Sequence, residues 1–153
     1  LFRPLFATLP GFTHAPFPVH FKEVADRAFA IGETTVIPRT VTHTQNLHCL
    51  GYRIEYGGNA LAYSGDSQYC DSLVRLCGDV DLAVLDCSFP ANRPSPVHLH
   101  AGQCGQVARA AGVGRLVLSH LYPITERYNV REQAGEAFGG RIVVGRDLMA
   151  IKL

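Results

Sequence analysis

Four polar side chains stand where short apolar or extended stretches of the sequence end. Asp66, Asp86 and His120 each follow an apolar run, and His43 closes an extended piece. In an α/β sheet the side chains at strand ends converge, and the rigid strands fix their positions. Imidazole and carboxylate groups together bind zinc or a similar metal, which can activate a water molecule at an open coordination position. These residues therefore indicate metal-dependent hydrolysis as one interpretation.

The spacing of these residues does not establish a metal site, because they are far apart in the sequence and no local motif links them. Asp66 follows Gly65, a pair that is common in turns. His120 could be a strand-end imidazole that the backbone satisfies, and His43 could be a polar residue of an edge strand. For each of these residues, the metal-binding and the structural explanation both remain open on spacing alone.

The intervening stretches predict a layered α/β architecture that follows an irregular N-terminal segment. Residues 1–30 contain four prolines, which break helices and central strands alike. Glycines 57 and 58 predict a hairpin turn. Apolar periodicity predicts helices over 71–77, 101–111 and 130–138, and strands over 34–38, 40–43, 51–56, 60–63, 81–85, 115–118, 141–144 and 148–153.

Length and composition are typical of a single folded domain. Apolar residues make up 47% and charged residues 18% of the chain, which argues against disorder. The sequence holds no apolar run long enough to span a bilayer, and its net charge of +1 gives no basic patch that would favour nucleic acid. Five cysteines without CxxC spacing predict reduced, buried thiols in a cytoplasmic protein.

Three stretches, taken together, carry a resemblance to a known family. They read VTHTQNLHCLGYRIEYGGNALAYSGDS, DLAVLDCSFP and HLHAGQCGQVARAAGVGRLVLSHLYP. In this order they resemble the metallo-β-lactamase-fold phosphodiesterases, which include the tRNA 3′-processing endonucleases (RNase Z). The resemblance covers roughly residues 30–125. It implies the C-terminal half of a four-layered αββα sandwich, with residues 1–153 forming a single partial domain.

The resemblance also assigns roles to particular residues. His43 resembles the ligand of one metal ion, Asp66 the carboxylate that bridges two ions, and His120 the final ligand of the second ion. His98 resembles the catalytic histidine that stabilises the transition state or protonates the leaving oxygen. Two divalent ions are implied, with zinc expected and manganese or iron as alternatives. Such a pair can activate water and stabilise the attacking and leaving oxygens of a phosphodiester.

The family's His-x-His-x-Asp-His motif, which supplies most ligands of the first ion, is absent from this sequence. His14 and His20 have the wrong spacing for it, and we interpret them as surface or packing residues. We expect an upstream segment or a second chain to complete the site, because three ligands divided between two ions are too few.

Two further departures leave alternatives open. The loop after His43 is longer than usual in the family and contains His48, which could replace His43 as a ligand. Asp86 stands where the RNase Z branch has a glutamate, which weakens the prediction of tRNA processing and favours a general member of the superfamily. We expect Asp86 to orient His98.

The sequence therefore predicts a metal-dependent hydrolase, either a phosphodiesterase or an RNase Z-like nuclease. The main alternative is a truncated, non-catalytic half-domain that mediates dimerisation or another interaction. A nucleotide-binding domain is the weakest interpretation, since Gly112-Val113-Gly114 matches neither GxGxxG nor Walker spacing. Expected partners are a phosphodiester or RNA substrate and a second copy or complementing N-terminal half, with no membrane.

Overall fold

A computed structural model describes residues 22–153, which fold into one mixed sheet with helices in its connections. The strands are β1 (Phe29–Ile31), β2 (Thr34–Val41), β3 (Cys49–Tyr56), β4 (Asn59–Tyr63), β5 (Leu82–Asp86), β6 (Arg115–Ser119) and β7 (Arg141–Val144). The helices are α1 (Asp71–Leu76), α2 (Ala101–Ala110) and α3 (Val130–Gly135), and a 3₁₀ helix spans Pro123–Arg127.

The strands lie side by side in chain order, and the type of connection decides their direction. Strands β1 to β4 are antiparallel because short turns join them. One of these turns is built by Gly57 and Gly58, whose φ angles of 57° and 82° suit a two-residue hairpin. Strands β4 to β7 are parallel, with one α-helix in each connection. Strand β2 runs in the same direction as β4, so β2 and β4 to β7 all end at one side of the sheet. We call this side the carboxyl edge.

The hydrophobic core lies between the helices and one face of the sheet. The buried apolar residues of the three helices form a single cluster with alternate strand residues such as Ala62, Leu85 and Leu118. Gly105 permits the close contact between α2 and α3, because a Cβ atom there would overlap the carbonyl oxygen of Ala134. Within residues 22–153, no helix is long and apolar enough to cross a membrane.

The structure changes the predicted boundaries of several elements. Residues 34–41 form one strand through Pro38, which β2 tolerates because its pairing with β1 reaches only Val36, so Pro38 has no β1 residue to donate to. The strand predicted over 148–153 is wrong, since the last strand in the described residues is β7. The segment predicted to be irregular over 1–30 contributes two residues to β1, and its residues 1–21 lie outside the described part.

Candidate metal and active site

The carboxyl edge gathers the polar residues singled out in the sequence. Asp86 is the last residue of β5, and His120 follows β6, which pairs with β5 in parallel register. Asp66 follows β4, and His43 follows β2. The sheet order places β4, β5 and β6 next to one another, so parallel pairing alone brings three of these four positions together.

Asp66, His98 and His120 form a compact group of side chains whose types can bind a metal ion. One ligand atom from each lies within 4.8 Å of those of the other two. The side chains of Asp66 and His120 are 47% and 41% exposed, so both can rotate toward a common ion. Two ligands of one tetrahedral zinc ion lie about 3.5 Å apart, so rotations that move these side chains by about 1 Å bring the group to that spacing. The group therefore fits a divalent ion in both chemistry and spacing.

Asp86 is the buried centre of a hydrogen-bond network behind this group. It is 2% exposed, and its two oxygens accept from four donors. Oδ2 accepts from the Ser67 amide at 3.1 Å and from Nδ1 of His98 at 2.8 Å. Oδ1 accepts from the Ser88 amide at 3.1 Å and from its hydroxyl at 2.6 Å. Four donors satisfy a carboxylate, which can only accept, and they fix its orientation. The expected contact between Asp86 and His98 is present.

His120 is connected to the same network through Ser88. The hydroxyl hydrogen of Ser88 points to Asp86, so its oxygen accepts from Nδ1 of His120 at 2.9 Å. His120 has a φ of 56°, a left-handed conformation that non-glycine residues adopt at a cost and that is enriched at functional sites. The backbone at the end of β6 is therefore held in an unfavourable conformation that places this imidazole at the carboxyl edge.

His43 is fixed by backbone groups and lies next to His98. Its Nδ1 lies 2.7 Å from the carbonyl oxygen of Val97, and its ring centroid lies 4.8 Å from that of His98. The side-chain amide of Gln68 donates to the carbonyl oxygen of His43 at 2.6 Å. His43 thus adjoins the three-residue group through His98 but is not a member of it.

The three imidazoles share one tautomer, which their partners determine. Nδ1 of His43 faces a carbonyl oxygen, that of His98 a carboxylate, and that of His120 an accepting hydroxyl. Each Nδ1 must therefore carry a hydrogen, which leaves Nε2 with the lone pair when the ring is neutral. A hydrogen bond on the second ring nitrogen is the usual arrangement for metal-binding histidines.

The remaining candidates from the sequence lie outside this group. Nε2 of His48 lies 2.7 Å from the hydroxyl of Thr40, away from the three imidazoles. His14 and His20 fall outside the described residues. All five cysteines are free thiols, and burial raises the pKa of Cys77 to about 12 and that of Cys104 well above its usual range. Neither of these two thiols is suited to thiolate ligation.

Sequence reasoning missed an aromatic wall beside the imidazoles. The ring centroid of Tyr122 lies 5.3 Å from that of His120, 5.5 Å from that of His98 and 5.2 Å from that of Phe89. The serines that connect Asp86 to the strand ends were also missed. The only signal for them was their position, two residues from Asp86 for Ser88 and next to Asp66 for Ser67.

The chain matches the family profile described as the beta-lactamase superfamily domain over residues 6–121. The chain belongs to this family. It is 29% identical over 148 residues to the "Probable metallo-hydrolase YhfI" of Bacillus subtilis, and the match covers 92% of this chain and 59% of that protein. It is 36% identical over 111 residues to ribonuclease Z of Thermobifida fusca, covering 65% of this chain and 34% of that enzyme.

Solved structures of this superfamily share the fold. The crystal structure of the metallo-β-lactamase-fold protein YhfI superposes with a TM-score of 0.74 and 28% identity, covering 79% of this chain and 50% of that one. Human tRNase Z, short form, superposes with a TM-score of 0.62 and 17% identity, which is a likeness in fold alone. The predicted metallo-β-lactamase fold is confirmed. The chain spans 59% and 50% of the matched YhfI sequence and structure, which agrees with a partial domain. The fold family implies divalent metal binding, which the donor group fits.

Proposed function

We propose that this chain supplies part of the active site of a metal-dependent phosphodiesterase or RNase Z-like nuclease. The observation that carries the proposal is the group of Asp66, His98 and His120, whose ligand atoms lie within 4.8 Å of one another, with the ring of His43 packed 4.8 Å from that of His98. The similarity to ribonuclease Z of Thermobifida fusca supports a nucleic-acid substrate. A phosphodiester needs charge stabilisation and proton transfer at one place, and this donor set suits both.

His43, Asp66 and His120 are the proposed metal ligands, with Asp66 bridging two ions. When bound, the ions, for which zinc is expected, would supply Lewis acidity and activate a water molecule. These three residues are too few for two ions, since a catalytic zinc ion takes about three protein ligands. We therefore propose that another segment or a second chain provides the rest.

His98 is the proposed proton donor. Asp86 accepts from Nδ1–H of His98, so the ring is oriented and Nε2 is the nitrogen left to exchange a proton with substrate. His98 is only 9% exposed, which protects the proton from bulk water. The alternative is that His98 is itself a ligand, as its membership of the compact donor group suggests.

The second face of the sheet supports a proposed partner layer. Strand alternation puts Leu82, Val117 and Tyr63 on the face opposite the helices, outside the main core cluster. On this face Tyr63 is 47% exposed, whereas Leu82 and Val117 are only 3% and 4% exposed, so the open part of the face lies around Tyr63. A complementing half or a second copy that covers this face is the proposed partner. Light scattering checks this, and a folded, monodisperse monomer would contradict it.

Two variants separate the proposed roles of the histidines. Zinc bound per chain is measured by plasma mass spectrometry, and hydrolysis is measured with bis(p-nitrophenyl) phosphate. We expect His43→Gln to lose both bound zinc and hydrolysis. We expect His98→Gln to keep zinc while hydrolysis falls by roughly 100-fold. Loss of zinc in His98→Gln would make His98 a ligand. Wild type that neither takes up zinc nor hydrolyses the ester, when assayed together with the segment or chain that completes the site, would refute the proposed function. His48→Gln is the matched control.

A further inference from the structure

The imidazole of His120 depends on one side chain for its hydrogen bonding. The ring is 41% exposed, and among residues 22–153 its only hydrogen-bond partner is the Ser88 hydroxyl, 2.9 Å from Nδ1. The nearest carboxylate oxygens, those of Asp86 and Asp66, lie 3.5 Å and 3.7 Å from the same nitrogen, too far for a good hydrogen bond. Any hydrogen bond that orients this ring must therefore act through Ser88.

A serine hydroxyl does not by itself choose the tautomer of a neighbouring imidazole. It can donate to a bare ring nitrogen or accept from an N–H group. The partners of the other two imidazoles, the Val97 carbonyl and the Asp86 carboxylate, can only accept. Ser88 differs from them because a second contact must decide the direction of its hydrogen bond.

The buried carboxylate of Asp86 provides that second contact. The Ser88 hydroxyl lies 2.6 Å from Oδ1 of Asp86, which can only accept, so the single hydroxyl hydrogen is committed there. The backbone amide of Ser88 donates to the same oxygen at 3.1 Å and fixes the residue in place. Ser88 is 0% exposed, so bulk water does not compete for its hydroxyl. Its oxygen therefore accepts and requires a hydrogen on Nδ1 of His120.

We propose that Ser88 is a positioning residue, which holds His120 in the tautomer and ring orientation that present Nε2 to a metal ion. This inference rests on the proposed function, because it states how one of the proposed ligands is oriented. One buried carboxylate then serves two roles. Oδ2 of Asp86 orients the proposed proton donor His98 directly, and Oδ1 orients the proposed ligand through Ser88. Without an acceptor at Nδ1, the ring of His120 would take up a mixture of tautomers in which Nε2 also carries the hydrogen.

The tautomer of His120 can be measured in the metal-free chain, without zinc or substrate. Long-range proton–nitrogen correlation spectra at alkaline pH, where the rings are neutral, show which nitrogen carries the hydrogen. We expect the pure Nδ1–H pattern at His120 in wild type and its loss in Ser88→Ala. Ser88→Thr should restore the pattern, because its hydroxyl can keep both contacts. The signals of His120 are identified by their disappearance in His120→Gln.

Ser67 provides a matched control. Like Ser88, it is 0% exposed and its backbone amide donates to Asp86 at 3.1 Å, but its hydroxyl donates to backbone carbonyl oxygens. Ser67→Ala should leave His120 in the Nδ1–H form. His98 should keep its tautomer in both alanine variants, because Asp86 still accepts from it.

Retention of the Nδ1–H pattern in Ser88→Ala would overturn the inference, since another group, such as the Asp86 carboxylate, would then accept from His120. Equal changes in Ser88→Ala and Ser67→Ala would also overturn it, because both would reflect a general loss of structure. Should Ser88→Ala fail to fold, Ser88→Cys is measured with the same expectation, since a thiol is a weak acceptor of similar size.

Zinc affinity shows whether this orientation serves a metal ion. It is measured by competition with a chromophoric chelator, together with the segment or chain that completes the site. We expect Ser88→Ala to bind zinc roughly 10- to 100-fold more weakly than wild type, and Ser88→Thr to bind it as tightly as wild type. A changed tautomer with unchanged affinity would overturn the role of Ser88 toward the metal. If wild type takes up no zinc, the proposed function fails, while the tautomers of the metal-free chain still decide whether Ser88 orients His120.

Discussion

Asp66 and Asp86 are the same residue type at the ends of two neighbouring parallel strands, yet their environments are opposite. Asp86 is buried and accepts from four donors, two of them on backbone amides. The side chain of Asp66 is 47% exposed, and its Oδ1 lies 3.7 Å from Nδ1 of His120. The buried carboxylate therefore holds other side chains in place, whereas the exposed one keeps its oxygens available for a ligand.

This difference separates two functions that a metal site needs. A metal ligand must have free lone pairs and some freedom to rotate, and the residues behind it must be rigid. Strand position alone cannot distinguish the two roles, since both aspartates follow apolar strands. The comparison makes distinct predictions for each residue.

The largest effect is expected for Asp86→Asn. The side-chain NH₂ of asparagine would face groups that donate to the Asp86 carboxylate. At least one buried backbone amide, that of Ser67 or of Ser88, would then lose its acceptor. We expect the free energy of unfolding, measured by urea denaturation, to fall by roughly 3 kcal/mol. Hydrolysis should also fall, because His98 loses the partner that orients it.

Asp71→Asn is the control for the buried aspartate. Asp71 is exposed in the first turn of α1, where a negative charge stabilises the helix by only a few tenths of a kcal/mol. If the two variants lose the same stability, Asp86 is not the centre of the network, and the contrast between the two aspartates disappears.

A smaller and more selective effect is expected for Asp66→Asn. Its zinc affinity, measured by competition with a chromophoric chelator, should fall at least tenfold because a charged ligand is lost. In excess EDTA, its free energy of unfolding should stay within about 0.5 kcal/mol of wild type, as is usual for an exposed position. An unchanged zinc affinity would exclude Asp66 as a ligand, and Asp71→Asn is again the matched control.

The smallest effect concerns His100, which lies two residues beyond His98. Its Nδ1 accepts a hydrogen bond, whereas Nδ1 of His98 donates one. Nδ1 of His100 accepts from the amide of Gln103 at 3.3 Å and caps α2, and burial lowers the pKa of His100 below 6.5. As the pH falls, the unfolded chain binds a proton at His100 before the folded protein does. The contribution of neutral His100 to stability is therefore complete above pH 6.5 and declines as pH falls through the lowered pKa.

The non-titrating cap in His100→Asn should remove this dependence. Between about pH 7 and pH 5, we expect wild type to lose a few tenths of a kcal/mol more stability than the variant, since the imidazole is half-exposed. Urea midpoints at the two pH values measure the difference. His48→Asn, which changes an exposed histidine, should not alter the slope, and equal slopes for all three proteins would contradict the prediction.

The sequence by itself determined the fold class and most of the elements. Apolar runs ending at Asp66, Asp86 and His120 predicted strands whose ends would meet, and parallel pairing of β4, β5 and β6 brings them together. The hairpin at Gly57 and Gly58 was readable because positive φ angles favour glycine. These features depend on local periodicity and turn chemistry, which neighbouring residues carry.

Only the tertiary structure decided which side chains are buried and what they contact. Ser88, which donates to Asp86, contacts His120 across 32 positions of sequence, and Tyr122 packs against Phe89 and His98 from another loop. The strand expected over 148–153 does not form, although its apolar pattern is suitable. Such outcomes depend on the register of distant strands and on the competition of burial with solvent, and neither is encoded in a local pattern of residues.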